Sequence, residues 1–207
     1  MQESKYILVG YSGHAYVVAE AAIEMGLKLS GYTERQESTH NPFDLSYLGF
    51  EGAEDFAYNG SGHSFILGIG SNSIRTKIAK FLSDKGGDLS TVIHPAASVS
   101  KMSTIGSGSF VARGASINPL VEVGKNCIIN TSSSIDHECI IGDGAHIAPG
   151  AVLAGNVSVG KESFIGANSV IKEGVTIGDN VIVGAGCVVT KDLGDNSKWV
   201  GNPARPL

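Results

Sequence analysis

A histidine at position 137 stands between two carboxylates, in the triplet Asp136, His137, Glu138. An imidazole, with an ordinary pKa of about 6.5, is the side chain best suited to take up a proton at neutral pH. A neighbouring carboxylate fixes its tautomer and stabilises the imidazolium that forms. The triplet predicts a general base, although an exposed histidine without a role has the same sequence context. Adjacent side chains of an ideal strand point in opposite directions, so pairing His137 with Glu138 requires a corner here.

Two glycine-rich segments, GYSGHA at 10–15 and GIGSN at 68–72, each connect a predicted strand to a predicted helix. We predict strands over 5–9, 27–32 and 64–69, and helices over 15–25 and 73–85. Backbone N–H groups and the helix dipole at such a turn favour a phosphate, although one such turn by itself can be merely a tight connection. Two of them at the carboxyl ends of parallel strands are typical of a nucleotide crevice. Residues 1–88 are therefore predicted to form a small α/β nucleotide-binding domain.

An aliphatic residue recurs at every sixth position from Ile93 to Val189 without interruption. This period fits neither a helix nor a long strand, but it fits a short strand followed by a tight corner, with three such units to a coil. Gly, Asn, Asp and Lys fill the positions between, where corners must tolerate positive φ. Residues 89–207 are predicted to form a parallel β-helix, and His137, two positions after Ile135, is predicted to face outward.

The cysteines and histidines offer two competing chemistries. Cys127, Cys139 and Cys187 all fall on the small inward position of the repeat, their number is odd and no CxxC occurs, so we predict core packing. Some β-helix enzymes bind zinc through three histidines, two of them about five residues apart. Here the nearest candidate pair, His137 and His146, is nine residues apart, so we predict no metal site.

The composition disfavours several classes of partner. A formal net charge of −5 and a pI near 5.6 argue against nucleic acid and anionic membrane surfaces, which attract clustered Lys and Arg. No run of about 18 apolar residues is present, so membrane insertion is not expected. The opening residues do not combine a basic stretch with an apolar one, and we expect a cytoplasmic protein.

The chain resembles the NeuD/PglD-type sugar-nucleotide acetyltransferases of bacterial surface glycan synthesis. The resemblance rests on GYSGH, GIGSNSIRTKI, an IHP segment at 93–95, NTSSSIDHECIIG at 130–142, AGNVSVG at 154–160 and WVGNPAR at 199–205. It implies the left-handed form of the β-helix and a homotrimer. It also implies transfer of an acetyl group from acetyl-CoA to the amine of a nucleotide-linked amino sugar, most often a UDP-linked 4-amino-4,6-dideoxy sugar.

The resemblance also implies roles for individual residues. His137 is similar to the family's general base and Glu138 to the carboxylate that orients it. Relatives usually have Leu-Asp-Asp after the second strand, whereas this chain has Thr33, Glu34 and Arg35, which leaves the nucleotide base open. The residues implied in binding the nucleotide sugar are Ser12, Gly13, His14, Glu34, Gly70, Asn72 and Asn130, and those implied in binding acetyl-CoA are His146, Gly155, Ala167, Ala185, Pro203 and Arg205.

His146 lies half a coil beyond His137, so the two should project from different sides of one prism. We therefore expect the active site to form between subunits, which closed three-fold symmetry permits. O-acetylation of a sialic-acid-type sugar or another hydroxyl acceptor is the nearest alternative, and a catalytically silent binding or assembly module is a second. The predicted nucleotide crevice favours the sugar-nucleotide reaction, because a free sugar or amino acid needs no such crevice.

Overall fold

The N-terminal domain is a four-stranded parallel sheet with a helix on each face. The computed structural model describes residues 5–58 and 62–207, so the opening residues 1–4 and the loop residues 59–61 of the predicted domain lie outside it. The strand order is β2-β1-β3-β4. Ile7 and Val9 pack on one face and Leu8 on the other, as the two-residue period of a strand requires. The elements are β1 Lys5–Val9, α1 Gly13–Glu24, β2 Leu29–Thr33, β3 His63–Leu67, α2 Asn72–Asp84 and β4 Asp88–Leu89.

The predicted α/β domain is confirmed, with small shifts at the ends of its elements. Strand β1 has the predicted bounds, and both helices begin one or two residues earlier than predicted. Strand β4 was not predicted, because two residues are too few to show a period. The sheet therefore extends to Leu89, and the first strand of the solenoid begins at Val92. Neither helix of the described chain has the length and apolar character needed to cross a membrane.

The rest of the chain is a triangular β-solenoid whose two-residue strands recur every six positions. Strands 18 residues apart pair in parallel, as Val123 pairs with Ile141. We call its faces the docked wall, the second wall and the third wall. The docked wall contains β5 Val92–Ile93, β8 Phe110–Val111, β11 Ile128–Ile129, β14 His146–Ile147, β17 Phe164–Ile165, β20 Ile182–Val183, β22 Lys198–Val200 and β23 Arg205–Pro206; the second wall contains β6 Ser98–Val99, β9 Ser116–Ile117, β12 Ser134–Ile135, β15 Val152–Leu153, β18 Val170–Ile171 and β21 Val188–Val189; the third wall contains β7 Thr104–Ile105, β10 Glu122–Val123, β13 Ile140–Ile141, β16 Ser158–Val159 and β19 Thr176–Ile177.

The second residue of each strand points into the prism. Ile129, Ile135 and Ile141, one from each wall, are all at most 1% exposed. The repeating inward aliphatic residue predicted from the sequence is confirmed. The corners between walls adopt positive φ at every sixth residue, with values of 56° at Asn126, 55° at Ser132 and 60° at Glu138.

The N-terminal domain covers the docked wall. The outward side chains of Phe110, Ile128 and His146 are buried beneath α1 and its sheet. Arg75 of α2 fastens this contact: it is 1% exposed and donates hydrogen bonds of 2.8–3.1 Å to five acceptors. The acceptors are the carbonyl oxygens of Ile69, Gly70, Asn126 and Gly144 and the Oδ1 atom of Asn72.

Arg75→Met is expected to lower the free energy of unfolding by about 3 kcal/mol or more, because buried acceptors lose their donor. Urea denaturation followed by far-ultraviolet circular dichroism measures the change. Arg113→Met is the matched control, since this guanidinium is 53% exposed and binds Glu24 at the surface. It should cost no more than about 1 kcal/mol. Equal losses in the two variants would contradict the role given to Arg75.

Candidate active site

His137 lies at the corner that joins the second wall to the third wall, directly after β12. Its side chain is 51% exposed, so the predicted outward orientation is confirmed. Its Nδ1 atom is 3.0 Å from Oε2 of Glu138. Glu138 has the positive φ of the corner, and this backbone turn allows two adjacent side chains to meet on one side. The corner that the pairing requires is therefore present. A proton on Nδ1, donated to the carboxylate, leaves the Nε2 lone pair free to act as a base.

Asp136 holds the backbone of this corner and not the imidazole. Its Oδ1 atom accepts hydrogen bonds from Nδ2 of Asn118 at 2.7 Å and from the backbone N–H of His137 at 2.8 Å. The bond from Asn118, followed by that from the backbone of His137, lowers the pKa of the Asp136 carboxyl. The two carboxylates of the triplet thus have separate tasks: Glu138 orients the ring and Asp136 secures the turn.

Gly155 forms the floor beneath the His137 ring. It lies one coil further along, at the same corner of the prism, and is itself buried. A Cβ atom at this position would lie 2.5 Å from Cε1 and 2.6 Å from Nε2 of His137. Only a glycine therefore allows the ring to take this position. The sequence resemblance implies a contact of Gly155 with acetyl-CoA, and the structure adds this direct contact with the proposed base.

A second group of polar residues lies where the N-terminal domain meets the docked wall. Oδ1 of Asn130 accepts the N–H of Thr131 at 2.8 Å, which turns its amide nitrogen toward Nε2 of His146, 3.0 Å away. The ring of His14, at the start of α1, lies 6.3 Å from the ring of His146 between centroids. We call His14, Asn130 and His146 the interdomain cluster. It brings together two residues predicted to bind the sugar nucleotide and one predicted to bind acetyl-CoA.

The two imidazoles of the interdomain cluster are neutral at pH 7. Burial, followed by the charge of Arg75, lowers the pKa of His14 to about 4. Burial, followed by Arg75 and His14, lowers the pKa of His146 to about 3. Both rings can therefore form hydrogen bonds as neutral donors and acceptors, but neither supplies a positive charge.

A cavity of about 670 Å³ opens at the carboxyl ends of the N-terminal strands. Three of the residues predicted to bind the nucleotide sugar, Ser12, Glu34 and Gly70, line this cavity. Gly13 begins α1, whose free N–H groups and positive dipole end favour an anion, and no acidic side chain in its first turn opposes one. The volume is that of a pocket for a small molecule. The cavity lies where the sequence predicts a nucleotide crevice.

Other predicted residues are placed elsewhere. The side chain of Asn72 fastens α2 to the solenoid, since its Nδ2 atom donates to the carbonyl oxygens of Glu162 at 2.8 Å and Ser163 at 3.2 Å. It does not line the cavity. Ala167 and Ala185 follow docked-wall strands, and so lie at a different corner from His137 and Gly155. Pro203 and Arg205 are exposed in the C-terminal tail.

The structure also reveals residues that the sequence did not single out. Arg75 is the hub of the domain contact, and Phe50 and Glu51 line the cavity beside Arg35, which the sequence had marked as a departure from the family. Arg75 lies inside the quoted GIGSNSIRTKI segment, but nothing local shows that its partners are solenoid corners as distant as Gly144. Residues 50–52 lie in a loop without a periodic pattern. Contacts of this kind depend on the tertiary structure.

The three cysteines are packed in the prism, as predicted. Each is fully buried and free of disulfide bonds. Burial raises the pKa of the Cys127 thiol to about 11 and also raises that of Cys139 and Cys187. These thiols are therefore poorly suited to act as nucleophiles. Among residues 5–58 and 62–207, no three His, Cys, Asp or Glu side chains form a group that could hold a metal ion.

Comparison with known proteins identifies the family. The PglD N-terminal domain family matches residues 5–82, and two hexapeptide-repeat families, bacterial transferase hexapeptide (six repeats) and hexapeptide repeat of succinyl-transferase, match residues 120–155 and 156–191. The solved acetyltransferase domain of PglB from Neisseria gonorrhoeae FA1090 is 32% identical, with 98% of this chain and 99% of that chain covered and a TM-score of 0.90. The chain belongs to the NeuD/PglD-type sugar-nucleotide acetyltransferases.

Further solved members of this family have the same architecture. PerB, a perosamine N-acetyltransferase of Caulobacter crescentus in complex with CoA and GDP-perosamine, is 34% identical, with 99% of this chain and 97% of that chain covered and a TM-score of 0.91. WeeI from Acinetobacter baumannii AYE is 27% identical, with 98% and 99% covered and a TM-score of 0.89. The search of curated proteins found no match. The predicted left-handed β-helix is confirmed by these likenesses.

Gly155→Ala is expected to reduce the turnover of this acetyltransferase at least about 10-fold, because the new methyl group displaces the His137 ring from its place beside Glu138. Steady-state release of CoA measures the effect, and the melting temperature should change little. Gly194→Ala is the control, since a Cβ there meets no atom within 4 Å and its φ is not positive. Full turnover in Gly155→Ala would show that the ring position is not critical.

Proposed function

We propose that the chain transfers the acetyl group of acetyl-CoA to the amine of a nucleotide-linked amino sugar, of the 4-amino-4,6-dideoxy class. The observation that carries the proposal is the exposed His137 imidazole, held by Glu138 and supported by Gly155. The crevice of the N-terminal domain supports a nucleotide-linked acceptor. Two similar structures add support, because the PglB domain was solved with acetyl coenzyme A and PerB with CoA and GDP-perosamine.

The reaction follows from the free Nε2 lone pair of His137. The sugar amine attacks the thioester carbonyl carbon, a C–N bond forms, and Nε2 takes a proton from the nitrogen. The C–S bond then breaks, and the imidazolium returns a proton to the CoA thiolate. Glu138 stabilises the imidazolium between these two steps. The products are the N-acetyl sugar nucleotide and CoA with a free thiol.

The acetyl group passes directly to the amine, without an acyl-enzyme. The three cysteines are buried and their thiol pKa values are raised, so they offer no accessible thiolate. His137 at the outward corner then acts only on the proton. O-acetylation would use the same base on a hydroxyl group, so the acceptor assay decides between the two reactions.

We further propose that the enzyme works as a cytoplasmic homotrimer whose active sites lie between subunits. Within one chain His137 stands at the corner of the second and third walls, whereas the interdomain cluster lies where α1 meets the docked wall. The second and third walls carry exposed apolar residues, among them Ile140, Val152 and Val170, which a neighbouring prism would cover. Closed three-fold symmetry would bring the His137 corner of one copy to the interdomain cluster of the next.

His137→Asn is expected to reduce turnover by about 100- to 10,000-fold, the usual contribution of a general base. The measurement is thiol release from acetyl-CoA with UDP-, dTDP- and GDP-linked 4-amino sugars as acceptors. His40→Asn is the control, because His40 is exposed in a loop of the N-terminal domain. Wild-type turnover in the His137→Asn variant would contradict the assignment of His137 as the general base. If every amino sugar fails while a plain hydroxyl acceptor reacts, N-acetylation is wrong.

Mixing the variants His137→Ala and Asn130→Ala is expected to restore about a quarter of the wild-type activity, although each alone is nearly inactive. In randomly mixed trimers, about one site in four takes an intact His137 from one chain and an intact Asn130 from its neighbour. The test denatures and refolds the two variants together, measures thiol release and determines the mass by light scattering. An active monomer, or no recovery from correctly mixed trimers, would contradict the shared site.

A further inference from the structure

The cavity of the N-terminal domain extends beyond the residues that a diphosphate needs. Past the glycine turns it is lined by Arg35 and by the segment Phe50, Glu51, Gly52, which we call the base pocket. The Arg35 guanidinium carbon lies 5.9 Å from the centroid of the Phe50 ring. A Cβ on Gly52 would come within 2.6 Å of that ring, so the glycine allows Phe50 its position. An aromatic face and a cation at one end of a nucleotide crevice fit a nucleobase.

Glu51 is the unusual member of the base pocket. The residue is 5% exposed, and its buried Oε2 atom has no hydrogen-bond partner within residues 5–58 and 62–207. Burial of a carboxylate without a donor is strongly unfavourable. A ligand in the cavity that Glu51 lines would supply the missing hydrogen-bond donors and so explain the buried carboxylate.

Among the common nucleobases, guanine fits this carboxylate best. Its N1–H and N2–H₂ groups are adjacent donors that can bind both oxygens of one carboxylate, and its O6 and N7 atoms are acceptors of the kind that arginine contacts. Uracil and thymine present a single N–H between two carbonyl oxygens, which a carboxylate repels. Cytosine and adenine present one amino group beside a ring nitrogen that is itself an acceptor.

Resting on the proposed function, we infer that the acceptor sugar is carried by guanosine diphosphate and that Glu51 selects the guanine. Glu51 accepts hydrogen bonds from N1–H and N2–H₂, Arg35 serves the O6 and N7 edge, and Phe50 lies against the ring. Glu34 lies nearer the glycine turn, because its Oε2 atom accepts the N–H of Tyr11 at 3.3 Å and its Oε1 atom accepts the N–H of Arg35 at 2.9 Å.

Isothermal titration calorimetry of the full chain with GDP, UDP, dTDP, CDP and ADP tests this inference. The wild type should bind GDP at least about 10-fold more tightly than the others. Glu51→Gln, which keeps the shape but replaces one acceptor by a donor, should weaken GDP binding about 10- to 100-fold and leave UDP binding within about 3-fold. Glu54→Gln, an exposed position in the same loop, is the matched control and should change neither.

Each remaining outcome overturns a defined part of the inference. If the wild type binds any other nucleotide more tightly than GDP, selection of guanine is refuted. This comparison uses only the wild type, so it does not depend on whether a variant folds. Equal weakening of all five nucleotides in Glu51→Gln refutes base reading by Glu51. If the protein binds nucleotide but releases no thiol with any amino sugar, the proposed function is refuted and the reading of the base is not. If it binds no nucleotide, both are refuted.

Discussion

The site depends on a backbone constraint that recurs at every sixth residue, the left-handed corner of the prism. Most L-residues avoid positive φ, and at most corners of this chain Gly or Asn occupies the position. Glu138 adopts this conformation instead, and its Oε2 atom lies 3.0 Å from Nδ1 of the preceding His137. On a straight strand these neighbours would point apart. The same turn that closes the coil therefore also orients His137, the proposed base.

The docking of the N-terminal domain decides where the remaining chemistry lies. Arg75 binds carbonyl oxygens of two solenoid corners and of its own glycine turn, so the nucleotide crevice and the docked wall are held together. The interdomain cluster is a product of this contact, since His14 comes from the helix and Asn130 and His146 from the wall. His137 lies at the opposite corner of the prism, outside the contact. His137 and the interdomain cluster are thus separated within one chain, and this separation is the observation on which the proposed assembly rests.

The sequence predicts those features that depend on local spacing. The period from Ile93 to Val189 is sufficient to place every wall, to face the cysteines inward and to face His137 outward, because each hexapeptide repeats the same local conformation. The solenoid partners of Arg75 and Asn72 could not be predicted, since they lie 51 to 91 residues away along the chain. The substitution at Arg35 was visible as a departure from the family, but its neighbour Glu51 lies in a loop where neither period nor motif marks it.

The charge balance of the interdomain cluster bears directly on the proposed chemistry. An amine attacks a thioester only in its unprotonated form. Burial and the charge of Arg75 hold the pKa values of His14 and His146 near 4 and 3, and they would also lower the pKa of any cation beside these rings. A sugar ammonium placed against these rings would therefore lose its proton more readily than in water. In the proposed reaction, binding of the nucleotide in the crevice would supply the free energy that holds the amine at these rings. The environment that prepares the nucleophile would then be separate from His137, the proposed base that removes the second proton of the amine.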